Sequence, residues 1–330
     1  MLFLRVKSGF AAAIARHMQP CLLVISLFSS TVFAIGQVAL NQEFFQAVAK
    51  GDAGAVHVLL DNGADLEATN DRGETALFIA VENRNRQIVE LLLEKGAQVS
   101  ARDKYQQTAL TEAARSMDPD MLRTLLAANP DREDKNAALF EAAESAPVVL
   151  QMADSPGPSA SQNQQATKTP AELPWVTSVR LLLDSGADIE ARDAERETPL
   201  MRAAAFGQTE TFELLLQRGA QISVTDKRGM TPLMVAACAC AIATMNSTYD
   251  IMKLLLERGA NVNARDHDGT TALMMAAASP DGSPSVKLLL DKGANPMAKD
   301  SKGRTALDFA KDTPFPEKIQ QLKKAMATSR

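Results

Sequence analysis

Six glycine-alanine pairs punctuate this chain at a near-constant interval, and no other property restricts its fold so strongly. Gly63-Ala64, Gly96-Ala97, Gly186-Ala187, Gly219-Ala220, Gly259-Ala260 and Gly293-Ala294 each close a leucine-rich run, at steps of 33, 90, 33, 40 and 34 residues. Asn129 divides the long step into 33 and 57. A second marker, the leucine of Thr-Ala/Pro-Leu, recurs in phase at Leu77, Leu110, Leu200, Leu233, Leu273 and Leu307, with Leu139 standing in an Ala-Ala-Leu triplet. Self-similarity on this scale means stacked supersecondary units. Allowing for excesses of 24, 7 and 1 residues, the chain after residue 34 holds eight repeats of 33.

The clearest copy, Asp193 to Thr225, shows what one repeat builds. Thr198-Pro199 sets a hydroxyl acceptor at a helix N-cap and a proline at the first helical position, where a missing amide costs nothing. Leu200, Ala203 and Ala204 give this first helix a face of small and medium side chains, so neighbouring helices can approach closely. Gly207 permits a tight reversal. Phe212, Leu214, Leu215 and Leu216 form the apolar face of a second, antiparallel helix, which Gly219 terminates in the left-handed conformation. Asp226-Lys227-Arg228-Gly229 then turns toward the next Thr231-Pro232. Such a unit cannot bury its leucines alone, so neighbours must stack, and stability becomes a sum of repeat and interface contributions. An aromatic content of only 5% fits an extended core of this type.

These residues, Thr198-Pro199-Leu200, Ala203-Ala204, Gly207, Leu214-Leu215-Leu216 and Gly219-Ala220, resemble the ankyrin repeat, and the resemblance runs from about Asn41 to Lys324. It implies an all-α solenoid of about eight helix-turn-helix units, including caps, joined by β-hairpin-like loops. The expected repeats lie near 41–69, 70–102, 103–131, 132–192, 193–225, 226–265, 266–299 and 300–324, after a short mature amino terminus at 35–40, and a tail at 325–330 follows. The histidine usual after Thr-Pro-Leu is replaced by Phe78, Thr111, Phe140, Met201, Met234, Met274 and Asp308, which puts the family's threonine-histidine ladder in doubt. The hairpin glycine is kept at Gly73, Gly229, Gly269 and Gly303, whereas Gln106, Lys135 and Arg196 take its place elsewhere and point to other turns there.

Ahead of the repeats, residues 1 to 20 hold Arg5, Lys7 and Arg16 and no acid, and Cys21 opens an apolar run to Ala34. A basic start, an apolar stretch of about 14 residues and Val32-Phe33-Ala34 match a secretory signal cleaved after Ala34, shorter than the roughly 20 residues a spanning helix needs. The alternative is an uncleaved anchor. Export is therefore expected, to a bacterial periplasm or, by onward secretion, to the outside. Beyond residue 34 the chain has 32 basic and 40 acidic residues, which argues against a nucleic-acid binder. After cleavage no membrane partner is expected either.

Between Leu139 and Gly186 there are 47 residues where Leu77 to Gly96 has 19, while the preceding hairpin is four residues shorter. The excess, about 146–174, is rich in Ser, Pro, Gln, Ala and Thr, a composition that cannot repay the cost of ordering, so a flexible loop is expected. It ends at Trp175, the single tryptophan, read as packing on the outer helix or as the end of a tethered recognition segment.

Catalysis has little material. His57 and His267 occupy different structural slots, and Cys238 and Cys240 lack the histidine a structural zinc set needs. Cys238-Ala239-Cys240 reads as structural thiols or an incidental disulfide, with a redox pair as the alternative. Met201, Met234 and Met274 recur at one repeat position and read as core filler, with a soft-metal site the alternative. No cofactor and no metal are expected. The resemblance implies instead that hairpin tips and the inner-helix groove bind a protein partner. At the tips and the groove rim the candidates are Arg72, Lys104, Tyr105, Glu195, Glu197, Phe206, Lys227, Arg228, Met230 and His267, chosen because Tyr, Arg, Met and Phe are the commoner interface anchors. Glu133, Asp134, Glu195 and Glu197 make the central tips acidic, which suits a basic partner surface. The expectation is a non-enzymatic binding module. Its alternatives are an inhibitor, immunity factor or stabilising helper of an enzyme in the same compartment, a secreted effector acting on host proteins, and a soft-metal or redox protein using Cys238, Cys240 and the methionines.

Overall fold

Each regular repeat opens with one carboxylate or amide that organises the five residues after it. Oδ1 of Asp103 accepts backbone N–H groups from Tyr105 and Gln107, both at 2.8 Å. Asp226 does the same for Arg228 and Met230, Asp266 for Asp268 and Thr270, and Asp300 for Lys302 and Arg304. Asn70 and Asp193 repeat the pattern. Side-chain capture of amides two residues on is what makes Asp and Asn turn formers. A residue with positive φ closes every one of these turns three positions after the aspartate. Gly73, Gly229, Gly269 and Gly303 do so at φ 74° to 80°, and Gln106 (64°) and Arg196 (60°) hold the same conformation. The expectation of different turns at Gln106 and Arg196 is thus corrected: the same two backbone N–H bonds to the aspartate that form the glycine turns outweigh the strain of a left-handed non-glycine residue.

In the computed structural model, the described residues are 36–145, 173–238, 245–280 and 283–328. The signal segment, most of the long insertion and Cys240 lie outside them. The chain divides between Gln107 and Thr108 into two compact units. The amino-terminal unit contains α1 (36–50), α2 (Ala53–Asp61), α3 (Ala76–Glu82) and α4 (Arg86–Glu94). Helix already runs at residue 36, so the expected short amino-terminal stretch up to residue 40 is part of α1.

The carboxy-terminal unit contains α5 (Ala109–Arg115), α6 (Pro119–Ala127), α7 (Arg132–Glu144), α8 (Pro174–Asp184), α9 (Pro199–Ala205), α10 (Thr209–Gln217), α11 (Pro232–Cys238), α12 (Met245–Glu257), α13 (Ala272–Ala278), α14 (Ser283–Asp291), α15 (Ala306–Lys311) and α16 (Pro316–Thr328). Its odd-numbered helices pack each on the next to form an inner layer, and its even-numbered helices do the same in an outer layer. Among the described residues no strand forms, only an isolated bridge between Thr69 and Thr75. The chain is an all-α repeat solenoid.

Inner helices start at threonine. Thr75, Thr108, Thr198 and Thr271 accept the N–H of the residue three further on. The family's missing histidine falls at that third position, and other side chains take over part of its work. Thr111 Oγ1 accepts the Thr108 N–H at 2.9 Å, and an Asp308 oxygen accepts both the N–H and the hydroxyl of Thr305. Such reciprocal pairs satisfy donors that a helix start otherwise leaves unused. Met201, Met234 and Met274 hold the same position with at most 1% exposure, so the methionine stripe is core.

Apolar packing carries the stack. Leu77, Leu110, Leu139, Leu200, Leu233 and Leu273 are at most 1% exposed, as are the alanines behind them, such as Ala113-Ala114 and Ala203-Ala204. Polar contacts tie successive repeats along the edges. Lys95 reaches Asp61 in the amino-terminal unit and Arg218 reaches Asp184 in the carboxy-terminal one, at 2.9 and 2.7 Å. Glu67 accepts the N–H of Gln98, as Glu190 does that of Gln221. At the far end the buried Lys318 of α16 donates to the Ala277 and Ser279 carbonyls at the end of α13, and its ammonium lies over the Phe315 ring.

The fourth repeat departs from this scheme. Where the others place threonine two residues before the marker leucine, it has Ala137, so no N-cap arises there. Asp131 caps instead, accepting the Asp134 N–H at 2.7 Å, and α7 runs unbroken for 13 residues. Glu133 and Asp134, expected at a hairpin tip, and Lys135, expected in its turn, therefore occupy the first turns of a helix, and Asp134 is fully buried.

Candidate functional site

The tips are tied to one another by backbone bonds. In the carboxy-terminal unit the Lys227 N–H donates to the Glu195 carbonyl, His267 to Arg228 and Ser301 to Asp268, at 2.7 to 2.9 Å. In the amino-terminal unit Lys104 donates to Arg72. Cross-linked tips present their side chains from a stiff edge. Each candidate can now be located.

Arg72, Lys104 and Tyr105 belong to the amino-terminal unit. Tyr105 is 77% exposed, the most open large apolar side chain described. Arg72 spans Glu74 and Glu82, and the Lys104 ammonium donates to the Asp71 carbonyl at 2.5 Å. Glu195, Glu197, Phe206, Lys227, Arg228, Met230 and His267 belong to the other unit. Glu195, Lys227, Arg228 and His267 are exposed along its tips, and Phe206 is half-buried at the end of α9. Met230 is a correction: it is 6% exposed, and its N–H is held by Asp226, so it packs under the tip. An apolar residue directly after the turn glycine points inward because the hairpin folds back on the helix it precedes.

Glu197 is also less free than a tip residue should be. It joins Glu144 and Asp193 around one guanidinium, that of Arg202, at 2.9, 2.6 and 2.7 Å. These four side chains are only 16 to 30% exposed. Burial holds the carboxyls of Glu141, Glu144 and Glu197 above the ordinary glutamate range, with Arg202 pulling each one back. At Glu141 the pull of Arg115 also opposes burial, while neighbouring Glu112 adds to it. Glu112 is itself paired with Arg115.

This cluster belongs to a wider pattern that the sequence reading passed over. Counting from the marker leucine, position five further on is exposed or half-buried on every inner helix, while position two is half-buried on α7, α9, α13 and α15 and buried on α3, α5 and α11. In the carboxy-terminal unit they read Glu112 and Arg115, Glu141 and Glu144, Arg202 and Ala205, Val235 and Cys238, Met275 and Ala278, then Phe309 and Asp312. These positions are charged on α5 and α7, carry Arg202 on α9 and are apolar on α11 and α13, with Glu112 and Val235 the buried members of the set. The signal was present in the sequence, two residues after a leucine already singled out, but only the helix geometry makes those positions a surface.

Trp175 is 6% exposed in the first turn of α8, matching the packing alternative, and its indole N–H has no partner among the described residues. Cys238 is exposed at the end of α11. His57 pairs with Asp61 on α2, and among the described residues no group of three His, Cys, Asp or Glu side chains is placed to hold a metal ion. No described helix is long and apolar enough to cross a membrane.

Paired antiparallel helices, stacked by short hairpins and presenting an open inner face, define a repeat protein built for contact with other macromolecules. The family model described as ankyrin repeats (3 copies) matches residues 44–148, 175–266 and 240–322, most of the chain. This chain belongs to the ankyrin-repeat family, whose members generally serve as protein-protein interaction modules. No curated relative matches it.

Proposed function

We propose that this chain is an exported, non-enzymatic binding protein that holds another protein against its hairpin tips and the open face of its inner helices. The observation that carries this reading is that face, where the fifth position after each marker leucine, and the second on α7, α9 and α13, leave side chains half-buried or exposed. Tip cross-links and buried leucines preorganise the surface, so association costs little ordering entropy. The basic, then apolar, amino-terminal segment with its Val32-Phe33-Ala34 exit supports export to the periplasm, with secretion beyond it the second destination.

The test is crosslinking of the full-length tagged protein in its native host, with envelope and medium fractions separated and the captured protein identified. A Tyr105→Ala, Arg228→Ala variant and a Met275→Lys variant, each checked for an unchanged melting curve, are expected to lose that partner. Retention of every partner by both variants overturns the proposed surface. An intact Met1 in the exported protein overturns cleavage after Ala34.

A further inference from the structure

The open face of the carboxy-terminal unit is divided into two chemistries, and that division specifies an occupant. On α5, α7 and α9 these positions and the adjoining tip carry the buried Glu112 and the half-buried Glu141, Glu144, Asp193 and Glu197, against the exposed Arg115 and the half-buried Arg202. Five carboxylates to two guanidiniums leaves an excess of negative charge. Arg202 is already shared by three of those carboxylates. Glu141 is the acid left over: half-buried, without an ion pair among the described residues, and held above its ordinary range by desolvation. A carboxylate in that position gains from a cation that replaces the water it has lost.

Two helices further along, the same positions carry Val235 and Cys238 on α11 and Met275 and Ala278 on α13, none of them charged. Cys238 and Ala278 are exposed, Met275 is half-buried, and Phe206 borders them from the end of α9. With Val235 buried beside them, these side chains offer apolar area that carries no charge to desolvate.

Resting on the binding role proposed above, we propose that the partner contributes one extended segment bearing an arginine or lysine and, a fixed distance away, a large apolar residue. The cation sits at Glu141, beside the carboxylates that share Arg202, and the apolar residue sits on Cys238, Met275 and Ala278. Charge complementarity selects the first half and burial of apolar area stabilises the second. Neighbouring packed helices lie about 8 to 10 Å apart, so α7 and α11 are separated by about 16 to 20 Å. An extended chain covers that distance in about five or six residues. The requirement for both residues at one spacing gives the selectivity that a purely acidic surface lacks.

The experiment is selection of a random twelve-residue peptide display library on the full chain, followed by fluorescence anisotropy with the enriched peptides. Expected is enrichment of a basic residue five or six positions from Phe, Leu, Ile, Trp or Met. Glu141→Lys should weaken these peptides tenfold or more in a protein that still melts in a single cooperative transition, and Met275→Lys should weaken them comparably. Moving the two residues adjacent to each other should do the same. If enriched peptides have another chemistry yet are lost in both variants, this inference fails and the binding face stands. If they are untouched by either variant, both fail. Absence of any enrichment overturns the claim that a linear segment is what binds.

Discussion

Asp103 and Asp131 open consecutive repeats, are the same residue, and do opposite things. Asp103 captures the N–H groups two and four residues ahead and folds a hairpin, after which α5 starts at Thr108 and lasts seven residues. Asp131 captures the N–H three residues ahead and starts a helix at once, one that lasts 13 residues. The contrast shows that aspartate supplies acceptors and its neighbours decide their use. Beyond Asp103 stand a left-handed Gln106 and a threonine cap at the fifth position. Beyond Asp131 stand Asp134 and Asn136, and alanine holds the place of the cap. The consequence is positional too: α7 lacks a tip of its own, and its Asn136 instead accepts the Asp188 N–H while Arg132 pairs with the Asp188 carboxylate. In the amino-terminal unit, Asn41 on α1 accepts the Asp65 N–H in the same manner, so α7 is built like a first helix although it lies mid-chain.

The largest test of that contrast is common to both regions. Leu139→Ala on α7 and Leu215→Ala on α10, both fully buried, should each cost about 2 to 5 kcal/mol in denaturant unfolding. A much smaller loss at Leu139 would show that the repeat lacking a hairpin is loosely packed. Next come the hairpin glycines. A Cβ at Gly229 would lie 2.8 Å from the His267 ring and 3.1 Å from its backbone nitrogen, whereas at Gly303 nothing lies within 4 Å. Both alanine substitutions carry a left-handed penalty of about 1 to 2 kcal/mol. Gly229→Ala should exceed Gly303→Ala in lost melting temperature, because only the former also disturbs the next tip.

A smaller difference separates the two kinds of aspartate. Asp226→Ala removes an acceptor for two N–H groups and should cost about 1 to 3 kcal/mol, while Asp131→Ala, the loss of a single cap, should cost about 1 kcal/mol. Equal losses would mean that the two roles are energetically alike. The smallest change is a gain: Gln106→Gly should relieve about 1 kcal/mol of left-handed strain.

The carboxylates around Arg202 give the pH dependence. Their raised values mean the folded protein binds more protons than the unfolded chain between the ordinary glutamate range and the raised one, so stability falls as pH rises through that interval. Glu141→Gln should therefore raise the melting temperature at neutral pH, and the gain should vanish once the solution is acid enough to protonate glutamate in both states. Asp308 behaves oppositely. The Lys311 hydrogen bond, with those from Thr305, holds its carboxyl well below the usual range, so its contribution is lost as pH falls below that range.

Much of this architecture was legible before any coordinates. Thr198-Pro199, Gly207 and Gly219-Ala220 announce where helices start, reverse and stop, because caps and left-handed residues act over a few neighbours. Asn129 in a glycine's place was readable on the same grounds, and it adopts φ 53°. The hairpin aspartates were less visible, since a side chain bonding two amides ahead leaves no hydrophobic signature, although their regular recurrence five residues before each threonine was there to be counted.

The period, the two-helix repeat, the turn positions and the family were determined by sequence alone, since each depends on bonds between residues a few positions apart. Which Met, Glu or Phe ends as core and which as surface was decided only by stacking. Met230 goes under its tip, Glu144 and Glu197 converge from residues 53 apart on the guanidinium of Arg202, and positions two and five after each leucine become a divided face. Burial and charge pairing between repeats depend on what the neighbouring repeat presents, and no local pattern carries that information.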